Sequence, residues 1–300
     1  VSQDSSKSSI FRGTAIIGGM TLVSRILGFA RDLLFARLFG AGLIADAFFV
    51  AFRIPNLLRS VMAEGALTSG FVPTFTDELA KGKNQAQTAI SDVAGFLLTV
   101  TLALSLIGIF WAPEIVKIFA PGFQFTPEKL GLSSSLLQIM FPYLIFVSFV
   151  AMVGGVLNSV RIYGLAAFAQ VIMNVVFIIG ILVAMASPSE TAPYVVAWST
   201  LLGGITQVVV QLPALKRAGF SIRPSFKLHS PAVLSVAKLM LPAIFGAAVY
   251  QLTIFINTVF ASLVGEGAVS ALFYADRVVQ FPIGIFSIAL ASVLLPVLSN

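Results

Sequence analysis

Eight long apolar stretches, at residues 13–39, 43–76, 89–112, 133–158, 164–186, 192–214, 232–263 and 267–298, account for most of the chain. Each exceeds the ~20 residues that a helix needs to cross the hydrocarbon of a bilayer. Runs such as Val171–Ala186 are apolar on consecutive positions, whereas a barrel strand alternates with period two, so the stretches predict helices. The expected fold class is an all-α polytopic membrane protein of about eight transmembrane helices with a two-lobe transporter architecture. Composition agrees: 58% of residues are apolar and 10% charged, against roughly a quarter charged in soluble chains. Soluble globular domains and disordered chains are excluded. The absence of cysteine removes disulfides, thiol nucleophiles and sulfur-ligated metal centres. Residues 1–12 read as a polar, Ser-rich tail. The first stretch is too long and too charged for the core of a signal peptide.

Lysine and arginine in the connections set the direction of insertion. With alternate loops assigned to alternate sides, the side of the N-terminus collects Lys7, Arg12, Lys81, Lys83, Arg161, Lys216, Arg217, Arg223 and Lys227. The opposite side has Lys117 and Lys129 alone. Nine against two predicts a cytoplasmic N-terminus. The basic loop at 216–231 is then cytoplasmic, at the level of the lipid headgroups.

Six arginines lie inside the apolar stretches: Arg25, Arg31, Arg37, Arg53, Arg59 and Arg277. Four acids accompany them, Asp32, Asp46, Glu64 and Asp276, while all eight lysines fall in tails, loops or span ends. An arginine at the centre of a lipid-facing helix costs about 2.5–3.5 kcal/mol on insertion scales. Several such residues would exhaust the about 5–15 kcal/mol that separates folded from unfolded protein. They are therefore expected to face a protein interior or a hydrated cavity. Arg37, near a helix end, reads as a snorkelling side chain, and Asp32 beside Arg31, like Asp276 beside Arg277, as local charge compensation. The grouping of all ten charges in the first two spans and early in the eighth argues for one functional cavity. Its excess of guanidinium groups suits an anion, since their forks match phosphate oxygens in pairs. Gly28 and Pro55, set between arginines, mark places where a helix can bend for gating.

A weak internal echo joins spans two and eight: Ala45-Asp46 with Pro55 and Pro73, then Ala275-Asp276 with Pro282 and Pro296. The offset of 230 residues corresponds to six spans. It predicts a first lobe at 13–215, the basic loop at 216–231, and the first two helices of a truncated second lobe at 232–300, with spans two and eight facing each other across the cavity. Spans seven and eight are then expected to be less well covered than the first six.

The string Ser24-Arg25-Ile26-Leu27-Gly28-Phe29-Ala30-Arg31-Asp32 closely resembles the MurJ (MviN) family of lipid II flippases. So do Ala45-Asp46-Ala47-Phe48-Phe49, Pro55-Asn56-Leu57-Leu58-Arg59, Ala63-Glu64-Gly65-Ala66, Ala120-Pro121-Gly122-Phe123, Gln211-Leu212-Pro213 and Tyr274-Ala275-Asp276-Arg277. The resemblance covers nearly the whole chain beyond the tail. It implies a fourteen-helix bacterial inner-membrane protein that carries undecaprenyl-pyrophosphate-linked peptidoglycan precursor from the cytoplasmic to the periplasmic leaflet by alternating access. It implies a substrate-binding set of Arg25, Arg31, Arg59, Arg277 and Asp46, the arginines contacting the pyrophosphate or gating the cavity and Asp46 helping to position or gate them. The pattern of charges and helix-bending residues itself puts Asp32, Arg53, Glu64, Asp276, Gly28 and Pro55 in gating or structural roles. Two positions depart from the family pattern: Ser60, where many relatives carry a basic residue, and Gln280, where many carry an acid.

The implied partners are lipid II and membrane lipids, with a monomer expected and no nucleic acid. A coupling ion stays open, because the family's last six helices, where some members bind a cation, lie outside this sequence. No cofactor and no metal site are expected. The competing readings are a multidrug or polysaccharide-lipid exporter of the same superfamily and a membrane enzyme acting on a polyprenyl phosphate. The arginine excess opposes the multidrug exporter. The enzyme would need a base and usually a metal site: the single histidine, His229, lies in the basic loop without an acid pair at metal-ligand spacing, and Glu64 alone could move a proton near the arginines.

Overall fold

The computed structural model describes the backbone of residues 2–298 and the side chains of residues 18–62 and 66–284. The side chains of Lys7, Arg12, Glu64 and Pro296 lie outside the described residues. α1 (Ser2–Phe39) already includes the stretch read as a tail and ends at Gly40. The second stretch is one rod made of α2 (Leu43–Arg59), a π-helical segment (Ser60–Leu67) and α3 (Thr68–Lys81). Pro55 lies inside α2 and is buried, without ending it. α4 (Lys83–Phe110) follows, then α5 (Ala112–Phe119) and a 3₁₀ turn (Pro121–Phe125), then α6 (Pro127–Met140) and α7 (Tyr143–Ser159). The chain continues with α8 (Leu165–Met185), α9 (Ala192–Arg217), α10 (Pro231–Val264) and α11 (Ala268–Leu298).

Among the described residues, five segments are long and apolar enough to cross a membrane: α4, α6 with α7, α8, α9 and α10. The other long rods, α1, α2 through α3, and α11, carry the charge cluster. The fourth stretch begins earlier than expected, at Pro127, whose fixed φ suits the first helical position. It breaks at Phe141–Pro142, where proline has no N–H for the ladder and Leu144 N bonds Phe141 O instead. Consequently Lys129, expected in a loop, sits in the first turn of α6 and is 5% exposed.

Two apolar cores hold the bundle. One centres on Phe35, Phe48, Phe49, Leu137, Leu144 and Phe177 and joins α1 and α2 to α6, α7 and α8. The other, around Phe71, Phe75, Ile90, Leu97, Met152 and Val236, joins α3 and α4 to α7 and α10. α10 is the least covered span, with 17% of its apolar window buried against 39–67% in the other four. The 216–231 segment lies along α4: Gln87 and Ser221 exchange two hydrogen bonds of 2.8 and 2.9 Å, and Ser225 N donates to Ser91 O at 2.8 Å.

The 3₁₀ turn meets α10 backbone to backbone. A Cβ on Gly122 would stand 1.8 Å from Ser262 O, and its N–H donates to Ser262 Oγ at 3.2 Å. No rotamer change relieves a clash with a carbonyl, so Gly122→Ala is expected to destabilise by at least the about 1–3 kcal/mol typical of overpacking. Thermal unfolding in detergent measures this. Gly131→Ala, with nothing within 4 Å of its Cβ position, should leave the midpoint in place.

An arginine-lined candidate cavity

α1, α2, α8 and α11 enclose a cavity of about 510 Å³. Arg25, Gly28, Arg31 and Asp32 reach it from α1, Asn56 and Arg59 from α2, Gln170 and Asn174 from α8, and Arg277 and Gln280 from α11. Phe29 of α1 stacks on Phe281 of α11, their centroids 4.4 Å apart, and both rings line it. Four guanidinium groups and one carboxylate thus face a single space among the described residues. Its electrostatic character is cationic, suited to an anion of more than one charge.

The arginines are held to different degrees. Arg31, 8% exposed, donates from Nε and Nη2 to Asp32 Oδ1 at 2.9 and 2.7 Å and from Nη1 to Asn174 Oδ1 at 3.0 Å. Its guanidinium also lies over Phe177 at 5.0 Å. The second oxygen of Asp32 receives Arg277 Nε at 3.1 Å, and Arg277 covers the Phe273 ring at 5.1 Å. Arg59 Nε donates to Asn56 Oδ1 at 2.7 Å. Arg25 is exposed to the cavity, and among the described residues no hydrogen bond or ion pair holds it. It lies over Gly284, where a Cβ would stand 1.7 Å from Nη1. Gly28 is within an unbroken α1. A Cβ there would make ordinary 3.7 Å contact with Asn174, so close packing does not demand glycine at that position.

The structure does not bring Asp46 into this cavity. Asp46 is fully buried at the start of α2, 2.9 Å from Lys129 Nζ. It accepts from Gly267 N at 2.7 Å and from Ser270 N and Oγ, both at 2.8 Å. Gly267 has φ of +84°, a conformation open to glycine, which turns its N–H toward the carboxylate. Asp46 therefore caps the N-terminus of α11 from another helix while neutralising a buried lysine. Arg53 is likewise outside the cavity. It donates to Thr258 Oγ1 of α10 at 2.6 Å, lies 3.9 Å from Asp276 Oδ2 and covers Phe273 at 5.6 Å. Asp276 and Pro55 do not line the cavity, and Glu64 has no described side chain. Arg37 is exposed in the last turn of α1, where a cation favours the helix dipole. α2 and α11 both line the space, and beyond it they touch, with Phe49 and Phe273 stacked at 3.8 Å.

Two buried polar partners escape the charge argument. Asn174 ties α8 to α1, donating to Ser24 O and Ser24 Oγ at 2.9 and 3.1 Å while accepting from Arg31. As the sole carboxamide in Val171–Ala186 it carries a usable signal, because an amide at depth needs partners. Lys129 carries one too, standing just after Pro127 at the start of a helix.

This bundle, with its cationic cavity, has the fold of the transporters of the MOP superfamily. An inward-facing multidrug resistance transporter of that superfamily matches with a TM-score of 0.65 at 17% identity, over 93% of this chain and 64% of that one. A solved structure described as lipid II flippase MurJ in an inward closed conformation matches with a TM-score of 0.79 at 26% identity, over 94% of this chain and 58% of that one. The family model for lipid II flippase MurJ matches residues 35–300. A lipid II flippase MurJ of Burkholderia cenocepacia is 40% identical over 297 residues, 97% of this chain and 57% of its own length. A probable lipid II flippase MurJ of Buchnera aphidicola subsp. Acyrthosiphon pisum is 40% identical over 276 residues, 92% of this chain and 54% of its own length. The chain belongs to the lipid II flippase MurJ family. It spans a little over half the length of these relatives.

Proposed function

We propose that this chain forms the first lobe and the opening of the second lobe of a lipid II flippase. Its cavity arginines take the pyrophosphate of the undecaprenyl-linked precursor during alternating access between leaflets. The observation that carries this reading is the convergence of Arg25, Arg31, Arg59 and Arg277 from three helices on one space with, among the described residues, a single carboxylate. A diphosphate offers several oxygens to planar forks, and binding it inside a low-dielectric bundle strengthens each contact. A cationic drug finds the opposite field. The cavity is large enough for the diphosphate and open enough for the rest of the headgroup to extend outward. The excess of Lys and Arg in the loops on the side of the N-terminus supports a cytoplasmic N-terminus in a bacterial inner-membrane protein, and the resemblance supports action as a monomer.

Competition separates this reading from multidrug export. Photoreactive lipid II should label the purified protein, undecaprenyl pyrophosphate should suppress the labelling, and a lipophilic cation should leave it unchanged. Suppression by the cation and none by the pyrophosphate would sink the proposal.

A further inference from the structure

Asp92, the tenth residue of α4, is 4% exposed, yet among the described residues no hydrogen bond or ion pair holds its carboxylate. It lines a second cavity, of about 520 Å³, whose other walls come entirely from residues 226–231. The Asp92 stem is buried while its oxygens, unpartnered by protein, open onto a space large enough for a ligand. The facing wall carries the Lys227 ammonium. Lys227 and His229 line it, and behind them begins α10, where Ser230 Oγ accepts from Val233 N at 3.4 Å and the positive end of a 34-residue helix faces the space. Among the described residues, Lys227 shares the cavity with Asp92 without forming an ion pair with it. The segment is anchored to α4 by Gln87 and by Ser91, so the two walls are set at a fixed separation. Phe226, 68% exposed at the rim, offers an apolar surface.

We propose that this cavity binds the headgroup of a phosphatidylethanolamine, with the primary ammonium on Asp92 and the phosphate on the Lys227–His229 wall. An anion alone would leave Asp92 unpaired, and a metal ion would meet Lys227. A zwitterion with an acidic and a basic end, attached to acyl chains that pass Phe226, satisfies both walls. The site shares no lining residue with the arginine cavity. Its test reads lipid retention rather than flipping, so its failure leaves the proposed function untouched.

Native mass spectrometry of the purified protein with equimolar dioleoyl phosphatidylethanolamine, phosphatidylcholine and phosphatidylglycerol decides the matter. The ethanolamine lipid should be retained about tenfold over the other two, the ratio for one charge-assisted hydrogen bond. The trimethylammonium of phosphatidylcholine has no N–H to donate, and the glycerol headgroup has no cation. Soluble phosphoethanolamine should displace the lipid, whereas inorganic phosphate should not. Asp92→Asn, which keeps the side-chain shape, should reduce ethanolamine-lipid retention to the phosphatidylcholine level. Equal retention of the three lipids by the unaltered protein overturns the proposal without reference to any variant. An undiminished preference in folded Asp92→Asn overturns it as well.

Discussion

Asp46→Ala should cost about 3–5 kcal/mol of stability, the range seen when one partner of a buried ion pair is removed. Three deficits arise together. Lys129, 5% exposed, is left as an unpaired buried cation. Gly267 N and Ser270 N lose the acceptor that caps α11, and Ser270 Oγ loses its strongest partner. Because α11 carries Arg277, the damage is expected to reach the cavity from a residue that does not line it. Thermal unfolding should show the loss directly. Asp46→Asn tests the division of labour: the amide oxygen can still accept from one backbone N–H, but it no longer neutralises Lys129. The double substitution Asp46→Asn with Lys129→Met should therefore recover part of what the single one loses. An Asp46→Ala protein melting with the parent would mean that the cap and the ion pair contribute nothing.

Arg25 and Arg31 should separate into a ligand contact and a framework contact. Arg25 has no described hydrogen bond or ion pair to lose, so Arg25→Ala should leave unfolding nearly unchanged. If its guanidinium takes the pyrophosphate, the loss of one charge-assisted contact of about 1.5–3 kcal/mol lowers substrate affinity or flipping about ten- to a hundredfold. Arg25→Lys should recover only part of this, because the ammonium has no planar fork. Arg31→Ala removes three hydrogen bonds and a ring contact and abandons Asp32 and Asn174, so it should lower stability and flipping together. Paired measurements of unfolding and of lipid II translocation in proteoliposomes check both. Equal destabilisation by the two substitutions would refute the distinction.

The cost of charge in hydrocarbon makes the cavity legible in the sequence. Arg25, Arg31, Asp32, Arg59 and Arg277 could not all face lipid, and they line one space. That argument says which residues avoid lipid, not which of them meet. Asp46 and Arg53 avoid it by pairing with Lys129 and Thr258, partners 83 and 205 residues away, and no helical periodicity reports contacts over such separations. Lys129 was hidden because its helix starts six residues before the expected boundary, within a turn preceded by two short elements that hydropathy reads as loop. Asn174 was hidden because an uncharged amide barely lowers the mean hydropathy of α8. The π-helical segment after Arg59 was also illegible. Gly65 and Pro55 mark a rod able to deviate from α-geometry, but not which deviation it takes.

Asp32 divides its two oxygens between Arg31 on its own helix and Arg277 on α11, and this sharing has a thermodynamic corollary. An anion that engages Arg277 competes with the only described carboxylate lining the cavity, so cavity occupancy and the α1–α11 clasp are linked equilibria. Whatever free energy the anion gains from Arg277 is diminished by the clasp it displaces, and reciprocity requires that a loosened clasp raise anion affinity by the same factor. The clasp is thus an internal competitor, built into the protein at fixed effective concentration, that ties the filling of the cavity to the parting of two helices.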